Sequence, residues 1–183
     1  MHASIRLSLL LIATLSSCAR APVEPSRLDS SGVTVVTLEH SLVLAHSLPT
    51  IAAGVRDYAY IGPVEINNMG NREYYLWVSL ASTIDREFLG LSPTDTSEIV
   101  FLVDDEPMQF SVVQWRTELD APPYISSTPV YATLEAKTTL DQIHRIAAAE
   151  TVELHLIADN ASGSRYQFWN GDWAEWQEFP EGR

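Results

Sequence analysis

Histidines are the first side chains to consider, because an imidazole can bind a metal ion or move a proton near neutral pH. His40 and His46 are six residues apart and, on one continuous strand, would share a face about 20 Å apart. That distance is too long for one zinc ion, which needs three or four ligands close together. His144 and His155 fall in different predicted elements. We therefore expect exposed or hydrogen-bonded histidines, and we predict no metal and no cofactor.

Carboxylates offer the next candidate chemistry. Three consecutive acids at residues 104–106 could begin a calcium site, since calcium takes six to eight oxygen ligands. The segment has neither EF-hand spacing nor a turn glycine, so we interpret it as a solvated turn. Asp57, Asp85 and Arg86 flank aromatic segments, and we expect an Asp–Arg pair there that organises a turn.

Nucleophilic catalysis would need a serine, cysteine or threonine beside a base and an orienting group. The sequence has no Gly-x-Ser-x-Gly elbow and no glycine-rich phosphate loop. We predict a protein that is not an enzyme. A hydrolase with an acidic or serine-based site remains an alternative, because sequence spacing cannot show which acids meet in space.

Aromatic residues are dense near the C-terminus, with six of them within residues 166–179. Such density can form a stacking platform for a sugar or the centre of a protein interface, and it can equally form core. We interpret part of the cluster as core. Trp169, Trp173 and Trp176 are the candidate ligand-binding residues.

The N-terminus carries a processing signal. Arg6 precedes an apolar run at residues 7–15, which is shorter than the roughly 20 residues needed to span a bilayer and is typical of a secretory signal peptide. The only cysteine of the chain, Cys18, follows directly after two serines. An ordinary cleaved signal peptide with an incidental cysteine is the alternative.

The segment Leu15-Ser16-Ser17-Cys18 resembles the lipobox of bacterial lipoproteins. The resemblance implies a diacylglyceryl group on the Cys18 thiol, cleavage before Cys18 and acylation of the new amine. Several acyl chains together anchor a protein stably. Ala19, in place of the aspartate that often retains such proteins in the inner membrane, favours the outer membrane. The resemblance covers about a tenth of the chain and concerns processing only.

Composition limits the remaining possibilities. The chain has 183 residues, with 24 acidic and 11 basic side chains and a formal net charge of −13. This balance argues against nucleic acid, because phosphate binding needs clustered Lys and Arg. The length allows one domain. We predict a signal peptide at 1–17, an acylated cysteine and a Pro/Ser-rich tether at 18–32, and a single β-rich domain at 33–183.

Short β-branched and aromatic runs dominate the predicted domain. Residues 73–82 give the strongest strand signal, and residues 57–66 predict a strand interrupted at Gly62-Pro63. A hairpin is expected around residues 104–107, and a final hairpin around Asn170-Gly171 joins strands at 165–169 and 173–179.

One helix is predicted at about 139–149, where Thr139 and Gln142 have capping-box spacing and apolar residues share one face. The fold class is therefore mainly β (α+β), an antiparallel β-sandwich or curved sheet with one late helix.

Together these observations predict a membrane-anchored lipoprotein of the bacterial cell envelope. We expect a non-enzymatic protein-binding or accessory domain with an envelope protein partner. The alternative function is a carbohydrate- or lipid-binding module that uses the aromatic C-terminal hairpin.

Overall fold

Antiparallel strands form most of the domain. The computed structural model describes residues 26–27, 33–86, 96–113, 122–158 and 161–179. Within these ranges the elements are, in chain order, β1 (Ser26–Arg27), β2 (Val33–Thr37), β3 (Leu42–Ser47), β4 (Arg56–Asn68), β5 (Asn71–Ser82), β6 (Thr96–Val103), β7 (Glu106–Val113), β8 (Val130–Thr138), α1 (Leu140–Ala147), β9 (Val152–Ala158), β10 (Ala161–Asn170) and α2 (Trp173–Gln177).

Eight of these strands close into an antiparallel barrel. The order is β4-β3-β10-β9-β6-β7-β8-β5, and β5 pairs again with β4 over the full length of both strands. The prediction of a mainly β, antiparallel domain is confirmed, and the sheet is curved until it meets itself. Eight strands leave an interior that side chains just fill, and closure removes the exposed edges of an open sheet.

The long strand β4 has two different neighbours on one side. β3 pairs with it up to Ile61, and β2 pairs with it from Val64 onward. The strand itself runs without a break through Gly62 and Pro63, which stay paired with β5. The predicted interruption of this strand at Gly62-Pro63 is therefore wrong, and the gap lies between its two neighbours, β3 and β2. Pro63 has no backbone N–H to donate. It lies in the gap between β3 and β2, where no strand needs a hydrogen bond from that side of β4.

The helix α1 follows β8 directly. Thr139 is its N-cap, and the side chains of Thr139 and Gln142 cap each other's backbone N–H groups, as the capping box predicts. Ile143, Ile146 and Ala147 are buried. The predicted helix at about 139–149 is confirmed, and it runs from Leu140 to Ala147.

The predicted C-terminal hairpin is wrong. β10 pairs with β9 and β3, and the residues after Asn170-Gly171 form the short helix α2 in place of a strand. Asp172 caps this helix by accepting a hydrogen bond from the N–H of Ala174 at 2.9 Å. Trp176 and Phe179 are buried in the core. Their three-residue spacing suits a helical turn, and their burial outweighs the turn signal of Asn170-Gly171.

The predicted signal peptide and Cys18 lie outside the described residues. Ser26 and Arg27, within the predicted tether, pair with Val35 and Thr34 of β2. In the described ranges, neither helix has the length and apolar character needed to span a bilayer.

Candidate functional site

A β-bulge in β10 exposes two successive aromatic side chains. Phe168 pairs with Leu44, but the next pair joins Asn170 to Val43, so one extra residue is inserted in β10. In a regular strand, neighbouring side chains point to opposite faces. Here Phe168 is 42% exposed and Trp169 is 54% exposed. The bulge therefore brings to the surface a pair of rings that regular alternation would separate.

The Trp169 ring is held by two residues of β4. Tyr58 packs edge-on against it with ring centroids 6.4 Å apart, and the guanidinium carbon of Arg56 lies 4.7 Å from the ring centroid. β3 lies between β10 and β4, so the Trp169 contacts cross over that strand. Edge-to-face packing and a cation over an aromatic ring both favour one ring orientation. Trp169 is thus a positioned side chain.

A second aromatic series leads from this surface into the core. The rings of Phe168 and Trp173 are 5.4 Å apart, and those of Trp173 and Trp176 are 6.2 Å apart. Trp173 is partly buried and Trp176 is fully buried. The three tryptophans selected from the sequence therefore do not share one binding surface: Trp176 is a core residue that a ligand could not reach. We call Arg56, Tyr58, Phe168, Trp169 and Trp173 the aromatic surface.

The histidines mostly have the hydrogen-bonded role expected. His46 Nδ1 donates to the carbonyl of Arg165 at 2.7 Å, and His144 Nε2 donates to the carbonyl of Phe179 at 2.5 Å. His155 lies 3.6 Å from a carboxylate oxygen of Glu153 on the same strand.

The acidic turn at residues 104–106 has a structural role. Asp104 accepts hydrogen bonds from the backbone N–H groups of Glu150 and Thr151, both at 2.9 Å. Glu106 pairs with Arg145 at 2.5 Å. Asp104 and Asp105 both have positive φ, which is typical of a tight hairpin turn. The predicted hairpin is confirmed, and two of its three carboxylates already have partners.

A polar cluster is buried at the end of the barrel where β4 begins. Asp57 accepts a hydrogen bond from Ser82 Oγ at 2.7 Å and forms an ion pair with Arg86. The Arg86 guanidinium lies 4.6 Å from the Tyr131 ring centroid, and the hydroxyls of Tyr131 and Tyr166 are 3.5 Å apart. Burial raises the pKa of both tyrosines. The predicted Asp–Arg pair is present, and it joins β4 to the segment after β5.

A separate cluster combines His40 with two carboxylates. Glu39 and His40 lie between β2 and β3, and Glu175 lies in α2. Their ligand atoms are all within 4.8 Å of one another, which makes them the described residues that could hold a metal ion. Sequence reasoning missed this cluster, because Glu175 follows His40 by 135 positions and no local spacing connects them.

Comparison with known proteins supplies no relative for this architecture. No protein-family model, no curated protein and no solved structure matches the chain.

Proposed function

We propose that this chain is a lipid-anchored protein of the bacterial cell envelope that acts without catalysis, by docking a partner protein on the aromatic surface. The observation that carries the proposal is the bulge that exposes Phe168 and Trp169 side by side. Bulges are commonly used to redirect side chains at functional positions. An exposed tryptophan that neighbouring residues already orient loses little conformational entropy when a partner covers it.

The composition of the aromatic surface favours a protein over a sugar. Trp, Tyr and Arg are the residues most enriched at interface hot spots, and here Tyr58 and Arg56 both contact Trp169. The Arg56 guanidinium already covers part of the Trp169 ring, which reduces the area that a flat sugar ring could stack on. A fitting partner offers an apolar side chain to Trp169 and a carboxylate near Arg56.

The anchor would be the acylated Cys18, and this part of the proposal is based on the residues Leu15-Ser16-Ser17-Cys18. Cleavage before Cys18 removes one arginine and no acid, so the formal net charge goes from −13 to −14. Such a domain is repelled by anionic lipid head groups. The lipid would therefore hold the protein at its membrane, and Ala19 favours the outer membrane.

Site-specific photo-cross-linking in the native cells tests the docking surface. The full-length protein carries p-benzoylphenylalanine at position 169, and a matched variant carries it at Met69, which is 88% exposed in the turn between β4 and β5. We expect one recurrent adduct from position 169 that position 69 does not give. The same adducts from both positions, or none from 169, would contradict the proposal.

Substitutions then measure what the surface contributes. Trp169→Ala in the lipidated protein should weaken co-purification of the cross-linked partner by on the order of tenfold or more, since hot-spot residues contribute about 2 kcal/mol or more. Met69→Ala should leave it unchanged. If partner recovery is unchanged with Trp169→Ala, the aromatic surface is not part of the interface.

A further inference from the structure

The cluster of Glu39, His40 and Glu175 joins two distant parts of the chain. His40 Nδ1 is 3.4 Å from Glu175 Oε1, and a Glu39 carboxylate oxygen lies within 4.8 Å of both other ligand atoms. One nitrogen and two oxygen donors therefore converge from the β2–β3 connection and from α2. A single ion at the centre of such a triangle could contact all three.

Glu175 is the residue that makes the cluster unusual. It is only 6% exposed, and within the described residues its Oε2 atom is buried without a hydrogen-bond partner. Burying a carboxylate is costly unless the charge is paired and both oxygens are satisfied. The one ion-pair partner that the described residues give Glu175 is His40, at 3.4 Å. A bound cation would satisfy the Glu175 oxygen that the described residues leave without a partner.

An open cleft adjoins the cluster. It has a volume of about 700 Å³, and its lining includes Glu39, His40, Ser41, Asn170 and Asp172. Water or a small ligand can therefore reach the Glu39 and His40 side of the cluster. Three protein ligands would leave a fourth position of a zinc ion open to water or a small ligand, whereas structural zinc sites usually have four protein ligands.

We propose that Glu39, His40 and Glu175 bind a divalent transition-metal ion of the Zn²⁺ class. The imidazole donor favours zinc and its neighbours over calcium, which would need six to eight oxygens. The formal net charge of −13 also raises the local concentration of cations. The ion would link the β2–β3 connection to α2 and so stabilise the C-terminal end of the fold.

Calorimetric titration of the untagged full chain with Zn²⁺ tests the site. The protein is first freed of metal with a chelator, and binding is measured alongside the change in melting temperature. We expect one ion per chain and a higher Tm with Zn²⁺ present. His40→Gln should weaken binding by about tenfold or more, because losing even an outer partner of a metal site commonly costs about 10–100-fold. His40 has a largely exposed side chain, so this variant should fold.

His155→Gln is the matched control. His155 also lies beside a glutamate, Glu153, but the described residues give that pair no third metal-binding group. Zinc affinity and the zinc-dependent rise in Tm should be unchanged in this variant. Equal weakening in both variants would show scattered surface binding and overturn the proposal. The proposal would also be overturned if the wild-type protein bound no more Zn²⁺ than His40→Gln. Full displacement of Zn²⁺ by an equal concentration of Ca²⁺ would overturn it as well.

Discussion

The ring of Tyr124 lies directly over Gly62, so close that a Cβ at position 62 would be 2.1 Å from Tyr124 Cζ. The Tyr124 hydroxyl accepts a hydrogen bond from the N–H of Leu38 at 3.1 Å and donates one to the carbonyl of Pro63 at 2.6 Å. These groups lie where β2 gives way to β3 along β4, so β4 has no strand partner on that side here, although β5 still pairs with it on the other side. One phenol thus satisfies backbone groups that the sheet leaves without partners.

Gly62→Ala should therefore destabilise the barrel. In an ordinary strand this change is stabilising by about 0.5–1 kcal/mol, but here the new methyl group would displace an aromatic ring and cost about 3 kcal/mol. Urea unfolding measures the difference. In a Tyr124→Ala background the same substitution should cost little, because the ring is gone. An equal cost in both backgrounds would show that the ring is not the obstacle.

Tyr124→Phe should cost about 1–3 kcal/mol, since it leaves the Leu38 N–H and the Pro63 carbonyl without their partner in a buried place. Tyr58→Phe is the matched control, because the Tyr58 hydroxyl has no hydrogen bond within the described ranges. It should change the free energy of unfolding by a few tenths of a kcal/mol at most. Similar losses in both variants would argue against the role of the Tyr124 hydroxyl.

Arg86→Met should destabilise strongly, because it leaves the carboxylate of Asp57 charged and buried. Breaking a buried pair in this way typically costs about 3–5 kcal/mol. Lys137→Met breaks an exposed pair with Glu73, 2.8 Å long, and should cost about 1 kcal/mol or less.

The double variant Asp57→Asn/Arg86→Met provides the internal check on that pair. It should recover part of the stability lost in Arg86→Met, because the unpaired charge is removed with its partner. A double variant less stable than Arg86→Met alone would show that the carboxylate matters through its bond to Ser82.

Glu153 should contribute to acid sensitivity. The hydrogen bond from Arg165, 2.5 Å long, holds the pKa of Glu153 below its ordinary value of 4.5. A depressed folded-state pKa adds stability that is fully present above about pH 4.5 and is lost as pH falls through the folded value. The stability difference between wild type and Glu153→Gln should therefore shrink on acidification. Unfolding curves at pH 7 and pH 3 measure it, and a constant difference would contradict the assignment.

Local features determined much of the secondary structure in advance. The capping pair Thr139 and Gln142 starts α1 where expected, because a cap depends on residues only three positions apart. The strand signal of residues 73–82 likewise agrees with β5, whose aromatic and aliphatic side chains favour a strand and are buried from Tyr75 onward. The processing signal at Cys18 is also local, and it remains a prediction from the sequence.

Other features depend on contacts between distant residues, and only the tertiary structure decided them. Closure of the barrel requires the pairing of β3 with β10 and of β5 with β8, which no single segment encodes. The turn signal at Asn170-Gly171 predicted a hairpin, but the residues after this turn form the helix α2, which buries Trp176 in the core. Gly62 beneath Tyr124 and His40 beside Glu175 are likewise pairs from remote parts of the chain. Sequence periodicity reports the environment of neighbours along the chain, whereas sites and closures arise from packing between elements, where burial free energy outweighs local preference.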